Sequence, residues 1–155
     1  MDDLARADFS TIDERPAPLG DRMLAHVIDA LILFVPLFIL WALLLRHVPL
    51  LVGTVVSNGL SLSYFVFLEA FRGRTIGKQL RRLRVRDRRG KLPTVEQTFR
   101  RNLYLMLGIV PGLVGSVVSL AMIVWIAFTI QTDPVSRRGI QDRFADTFVT
   151  QASRL

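Results

Sequence analysis

The chain reads as an all-α membrane protein, a helical bundle of three to four hydrophobic segments with a small cytoplasmic β-hairpin element. Two observations predict this class. Apolar residues make up 51% of the 155, with mean hydropathy +0.40, and they are bunched into long runs; unbroken runs of that kind are solvated by lipid rather than packed behind a water-facing shell. Between the runs, Arg72 to Arg101 holds twelve Lys and Arg against Asp87 and Glu96, a net +10 in a chain whose total is +7. A basic stretch between hydrophobic segments is retained on the cytoplasmic side. The length suits a single domain.

The first 21 residues carry six acids, two arginines, Pro16, Pro18 and Gly20, and the expectation is a flexible tail, too acidic for the basic start of a secretory signal. The membrane domain then covers 22–151, with helices at about 22–46, 49–71, 94–110 and 112–131, and a basic cytoplasmic loop at 72–93. Met23 to Leu45 is 23 residues long, enough to cross a hydrocarbon core of roughly 30 Å. Arg22, His26 and Asp29 follow at spacings of four and three, so they form a polar stripe on one helical face. Asp29 falls about 10 Å inward from Arg22 along the axis. A lone carboxylate there costs on the order of 3 kcal/mol, so it needs a partner, a proton or a watery cavity. It reads either as an ion or proton site or as a fixed anchor between helices, and His26 as a hydrogen-bonding helper.

A short connection at Arg46 to Pro49 makes the second segment antiparallel to the first. Gly53, Ser57 and Ser61 form a small-residue stripe, and Asn58 needs a partner at mid-membrane. Glu69, near the basic end, has Arg22, Arg72 and Arg74 as its nearest candidate partners. In the loop, Leu83, Val85 and Asp87 alternate with arginines before a turn at Asp87 to Gly90, predicting a strand or hairpin. GRTIGK, from Gly73, lacks the glycine spacing and the Ser or Thr of a phosphate loop. Arg72, Arg74, Lys78, Arg81 and Arg82 are candidates for anionic lipid headgroups or a partner protein, and with the charge placed between membrane segments, headgroups are a nearer partner than nucleic acid.

Thr94 with Gln97 has capping-box spacing. The apolar run Asn102 to Ile130 is broken by Gly108, Pro111, Gly112 and Gly115. It threads either as one long helix or as two limbs, and only two limbs keep the basic tail, 132–155, inside. Phe148 to Thr150 has strand propensity and is placed to pair with Leu83 to Arg86. Asp142 and Asp146 read better as partners of the arginine-rich loop than as metal ligands. Without cysteine, a Ser-His-Asp set or a His cluster, no enzyme chemistry, cofactor or metal is expected.

Taken in order, APLGDRMLAHVIDALIL, GRTIGKQLRRLRVRDRRGKLP, FRRNL and RRGIQDRFADTFVT resemble the RDD family of small bacterial integral membrane proteins. The Arg and two Asp for which the family is called fall on Arg22, Asp29 and Asp142; its loop element falls on Gly73, Thr75, Gly77 and Lys78, its turn glycine on Gly90, and the Arg before the later helix on Arg101. The resemblance runs from Pro18 to Thr150. It departs where the family commonly has His or Gly before the late Asp and Gly-Thr after it; here stand Gln141 and then Asp146 with Thr147, which puts a glycine-dependent turn in question. The resemblance implies a multi-pass protein of the bacterial inner membrane, with transport suggested for some members. Two functions therefore stay open: a membrane-complex subunit or adaptor, working as an oligomer or with another membrane protein, and a small ion or solute transporter acting as an oligomer through the Arg22, His26 and Asp29 stripe, with Asn58, Glu69, Arg101 and Asp142 as possible partners.

Overall fold

The computed structural model describes residues 14–110 and 112–152. Among the described residues, three helices are long and apolar enough to cross a membrane: α1 (Leu19–Leu43), α2 (Leu50–Arg72) and α5 (Gly112–Gln131). Shorter helices α3 (Ile76–Leu80), α4 (Val95–Asn102) and α6 (Ile140–Phe144) lie with three strands, β1 (Glu14–Pro16), β2 (Leu83–Asp87) and β3 (Thr147–Ala152). The class is thus a helical membrane protein with a small β element. Most side chains on α1, α2 and α5 face outward, including Leu31, Phe34, Phe38, Leu60, Phe67, Leu113, Leu120 and Val124; an apolar surface of this extent is suited to lipid.

The strands form one antiparallel sheet in the order β1-β3-β2, with Val85 opposite Val149 and Arg15 opposite Gln151. Two expectations change here. β2 makes no strand pair with the residues after it: a turn held by Asp87, whose carboxylate accepts from the Arg89 and Lys91 amides at 2.9 and 2.7 Å and whose amide donates to the Lys91 carbonyl at 3.0 Å, leads on to Pro93 and α4. The partner is β3, whose threonines and valine suit a half-buried pleat. Residues 14–16 belong to the sheet and Leu19 to Asp21 to α1, rather than to a tail; residues 1–13 lie outside the described residues. With Ala17, Ala25, Leu83, Val85 and Val149 the sheet seals a small apolar core against α1.

The sheet gathers the chain before α1, between α2 and α4, and after α5 at one end of the bundle, here called the basic end. The apolar run after Arg101 is therefore divided. A 3-10 segment, Leu103–Ile109, leaves from beside Glu69, where Asn102 Nδ2 donates to Glu69 at 3.0 Å, and ends beside Thr54 and Asn58. At about 2.0 Å per residue its seven residues reach only about 14 Å, well short of a full crossing. Carbonyls left open where it stops are met by α2: Asn58 Nδ2 donates to Gly108 O at 3.1 Å and Thr54 Oγ1 to Ile109 O at 3.2 Å. That is the shielding that broken backbone needs at membrane depth. Gly115 sits against the Val110 carbonyl, where a Cβ would come within 1.6 Å, and serves the tight return into α5.

The basic end contains one backbone motif twice, at an offset of 64 residues. Gly73 and Arg137 are both left-handed (φ 67 and 48°), as are Arg82 and Asp146 (φ 56 and 53°). Each pair brackets a five-residue helix, α3 or α6, followed directly by a strand. Hydrogen bonds repeat with the angles: Gly73 N to Glu69 O and Arg137 N to Asp133 O are both 2.9 Å, and Arg81 N to Gly77 O and Ala145 N to Gln141 O are 3.2 and 3.1 Å. The strands pair about Val85 and Val149, equivalent positions in the two units, so the units are related by a local two-fold axis. Asp146 takes the left-handed conformation itself, which answers the missing glycine, since Asp tolerates that region better than most residues.

Single cysteines test the threading, because the parent has none. With a membrane-impermeant maleimide on sealed vesicles, Arg89→Cys and Val135→Cys are expected to label from one side and His47→Cys from the other.

Candidate functional site

Six charged residues converge at the basic end: Arg22, Lys78 and Arg101 with Asp29, Glu69 and Asp142, none more than 5% exposed. Arg22, Lys78 and Arg101 pair with Glu69 and Asp142, whereas Asp29 is held by neutral donors. Buried polar and charged groups persist only when paired or hydrogen-bonded.

Asp142 is at the centre. As the third residue of α6 it turns inward; Arg22 Nη1 donates to it at 2.6 Å, Arg101 Nη1 makes a short ion pair with its other oxygen, and the Gly139 amide donates at 3.1 Å. Burial alone would raise its pKa, but the Arg101 and Arg22 guanidiniums outweigh burial and hold the carboxyl below the ordinary carboxylate range. For Arg101 burial pulls downward, and Asp142 and Glu69 reverse it, leaving the guanidinium raised. Arg101 Nη1 also donates to Thr147 Oγ1 at 3.2 Å, and Arg138 braces the segment through the carbonyls of Thr147 (3.0 Å) and Asp142 (3.2 Å).

Glu69, in the last turns of α2, pairs with Lys78 and lies 3.4 Å from Arg101 Nε, with Asn102 completing its set. Its expected partners Arg72 and Arg74 are not among these, and Arg22 is committed to Asp142. Lys78 is likewise corrected: it is buried, as the inward residue of α3, and not presented to a headgroup. Its ammonium is lowered, burial outweighing the attraction of Glu69. Arg72 and Arg82 are exposed, Arg74 and Arg81 are intermediate, and Arg81 pairs with Asp21.

Asp29 is bound by neutral donors. Thr75 Oγ1 donates at 2.5 Å, Tyr64 Oη at 2.8 Å and the Gly77 amide at 2.8 Å. The GRTIGK turn is therefore wedged against α1, and Gly77 must be glycine: a Cβ would stand 2.1 Å from Ala25 O and 2.9 Å from the Asp29 carboxyl. His26, one turn before Asp29, hydrogen-bonds to neither Arg22 nor Asp29; its Nε2 is 3.3 Å from Tyr104 Oη and its ring 5.6 Å from that of Phe65. The stripe on α1 thus has three separate sets of partners. Asn58 lies away from the cluster, binding the Leu103–Ile109 segment.

Among the described residues no three His, Cys, Asp or Glu side chains group as a metal site. Asp142 and Asp146 diverge, the former buried and the latter half-exposed in an ion pair with Arg88 of the basic loop. Tyr64 and Asn102 join the site without having been singled out in the sequence; a hydroxyl or amide beside an apolar run was the available signal.

A family model described as RDD family matches residues 16–146, most of the chain. No curated protein and no solved structure matches it.

Asp142→Asn leaves two buried guanidiniums short of charge and is expected to destabilise the fold by about 3–5 kcal/mol, read by denaturant titration in mixed micelles. Because the folded carboxyl is held below its unfolded value of about 3.9, Asp142 contributes fully at pH above that value. The contribution is lost as pH falls through the folded pKa, so acid melting of the parent should be steeper than that of Asp142→Asn. Gly77→Ala should cost about 1–3 kcal/mol through the forced shift of α1, whereas Gly20→Ala, with open space around it, should not.

Proposed function

The chain belongs to the RDD family, and we propose that it is a non-catalytic subunit or adaptor of a membrane complex, receiving a transmembrane helix of a second copy or of another membrane protein. The observation that carries this reading is the openness of the bundle. Only 11–17% of the most apolar window of each long helix is buried. A groove of about 670 Å³ between α1, α2, the Leu103–Ile109 segment and α5 is lined by Ala30, Leu33, Phe34, Ser57, Leu105 and Ile123 among others. Its lining is mostly large and apolar, with Ala30, Ser57 and Ser61 as small members, and such a wall suits a helix, whose packing in lipid rests on van der Waals contact. The charge cluster is closed on itself, supporting an anchoring role for Arg22, Asp29, Glu69, Arg101 and Asp142. The setting we infer is the bacterial inner membrane, with the basic end cytoplasmic.

The alternative is a small ion or solute transporter working as an oligomer. His26 favours it, because it lines the groove one turn from the Asp29 carboxylate.

In vesicles, Ala30→Cys and Ile123→Cys are expected to cross-link to a neighbouring chain at near-native expression, and Ala30→Trp, which fills the groove, to weaken association without lowering the melting temperature. A monomer by native mass measurement together with no cross-link at either position would sink the subunit reading. Proteoliposome flux that is lost in Asp29→Asn, while Ala30→Trp stays folded, would replace it with the alternative.

A further inference from the structure

The three short helices at the basic end share an arrangement that the charge cluster does not use. Each turns polar residues inward: Thr75, the cap of α3, with Lys78; Thr98, Arg101 and Asn102 of α4; and Asp142 of α6. Each turns outward a pair of large apolar side chains four residues apart: Ile76 and Leu80, 43 and 65% exposed; Val95 and Phe99, 55 and 44%; Ile140 and Phe144, 43 and 61%. Ile76 and Ile140, and Leu80 and Phe144, are equivalent positions in the two repeated units, so one outward face occurs twice in unrelated sequence. In water, six such side chains would be an unusual liability on so small a cap.

Their depth is fixed by what lies behind them. The Ile76 amide is 3.4 Å from Tyr64 Oη, and Tyr64 precedes the end of α2 by more than two turns. Gly77 lies on Ala25 and Asp29, well inside α1. The Ile140 amide donates to Thr129 Oγ1 of α5 at 3.0 Å, and α4 runs directly into the Leu103–Ile109 segment. The outward pairs are therefore continuous with the lipid-facing surfaces of the spans, and Arg72 and Arg82, both exposed, flank α3.

We propose that α3, α4 and α6 form an interfacial collar, with Ile76, Leu80, Val95, Phe99, Ile140 and Phe144 inserted at the boundary of headgroups and acyl chains of the membrane that the spans cross. Arg72 and Arg82 lie at anionic headgroups. Apolar residues on one face with cations beside them are what an interfacial helix requires. The cap is then part of the membrane-bound body of the protein rather than a domain standing off in water.

Single cysteines at Leu80, Phe99 and Phe144 carry an environment-sensitive fluorophore in phosphatidylcholine vesicles containing phosphatidylglycerol, with Arg89→Cys as the aqueous reference and Phe38→Cys as the deep one. The three labels are expected to emit blue-shifted light, to be quenched by spin-labelled lipids nearer the headgroup than Phe38→Cys, and to resist aqueous iodide. Labels that match Arg89→Cys overturn the collar, and so does iodide access that is lost only when a soluble protein fraction is added. Phosphatidylglycerol should raise the melting temperature of the parent and not that of Arg72→Gln/Arg82→Gln; an equal effect on both overturns the headgroup contact. Neither readout depends on oligomer formation.

Discussion

The joint on which the basic end depends is one carboxylate held between two guanidiniums. Asp142 arrives from the last helix, Arg22 from the first and Arg101 from α4, so elements far apart in the chain meet at a single oxygen pair. Remove the tail and two buried cations confront one another in a medium that screens them poorly. The C-terminal strand is for this reason a structural part of the membrane domain, and β3, at the centre of the sheet, can hold both β1 and β2.

The two family aspartates are stabilised by different chemistry. Asp142 is neutralised by cations, whereas Asp29 is solvated by a hydroxyl pair and a peptide amide. Short neutral donors bring a backbone turn close to α1, and that approach is possible only at Gly77. An arginine would have spanned a gap; the glycine turn closes it. What enters the membrane end beside Asp29 is thus main chain, locked by the residue that it solvates.

The spans, the basic end and the strand at Leu83 to Asp87 were legible because each rests on a periodicity or a charge excess that local sequence carries. Arg22, Asp29 and Asp142 were legible through the family pattern, and Asp142 also as a partner of the stripe and of the arginine-rich loop, but the donors around Asp29 were not, since helical spacing says which residues share a face and nothing about what that face meets. Lys78 was misplaced for this reason: it is surrounded in sequence by cations that reach the surface, and only the inward turn of a five-residue helix separates it from them. β1 was invisible, as three residues ending in proline show no alternation. The repeated unit was hidden more deeply. Equivalent positions are identical at Arg74 and Arg138, Ile76 and Ile140, and Val85 and Val149, and what recurs is backbone angle, which at Arg82, Arg137 and Asp146 is not signalled by glycine.

That repeat bears on which unit can take which place in the fold. Two units with the same backbone, each ending in a strand that pairs antiparallel with the other, invite exchange: the α3–β2 unit of one molecule has the shape to take the place of α6–β3 in a neighbour. Equivalent positions in the two units, however, carry opposite charge, Lys78 in one and Asp142 in the other. An exchanged unit would set the Lys78 ammonium against Arg22 and Arg101, with Glu69 beside Arg101 in place of the Asp142 carboxylate that now lies between the two guanidiniums. The difference of one side chain thus gives the two halves of a symmetric fold distinct addresses.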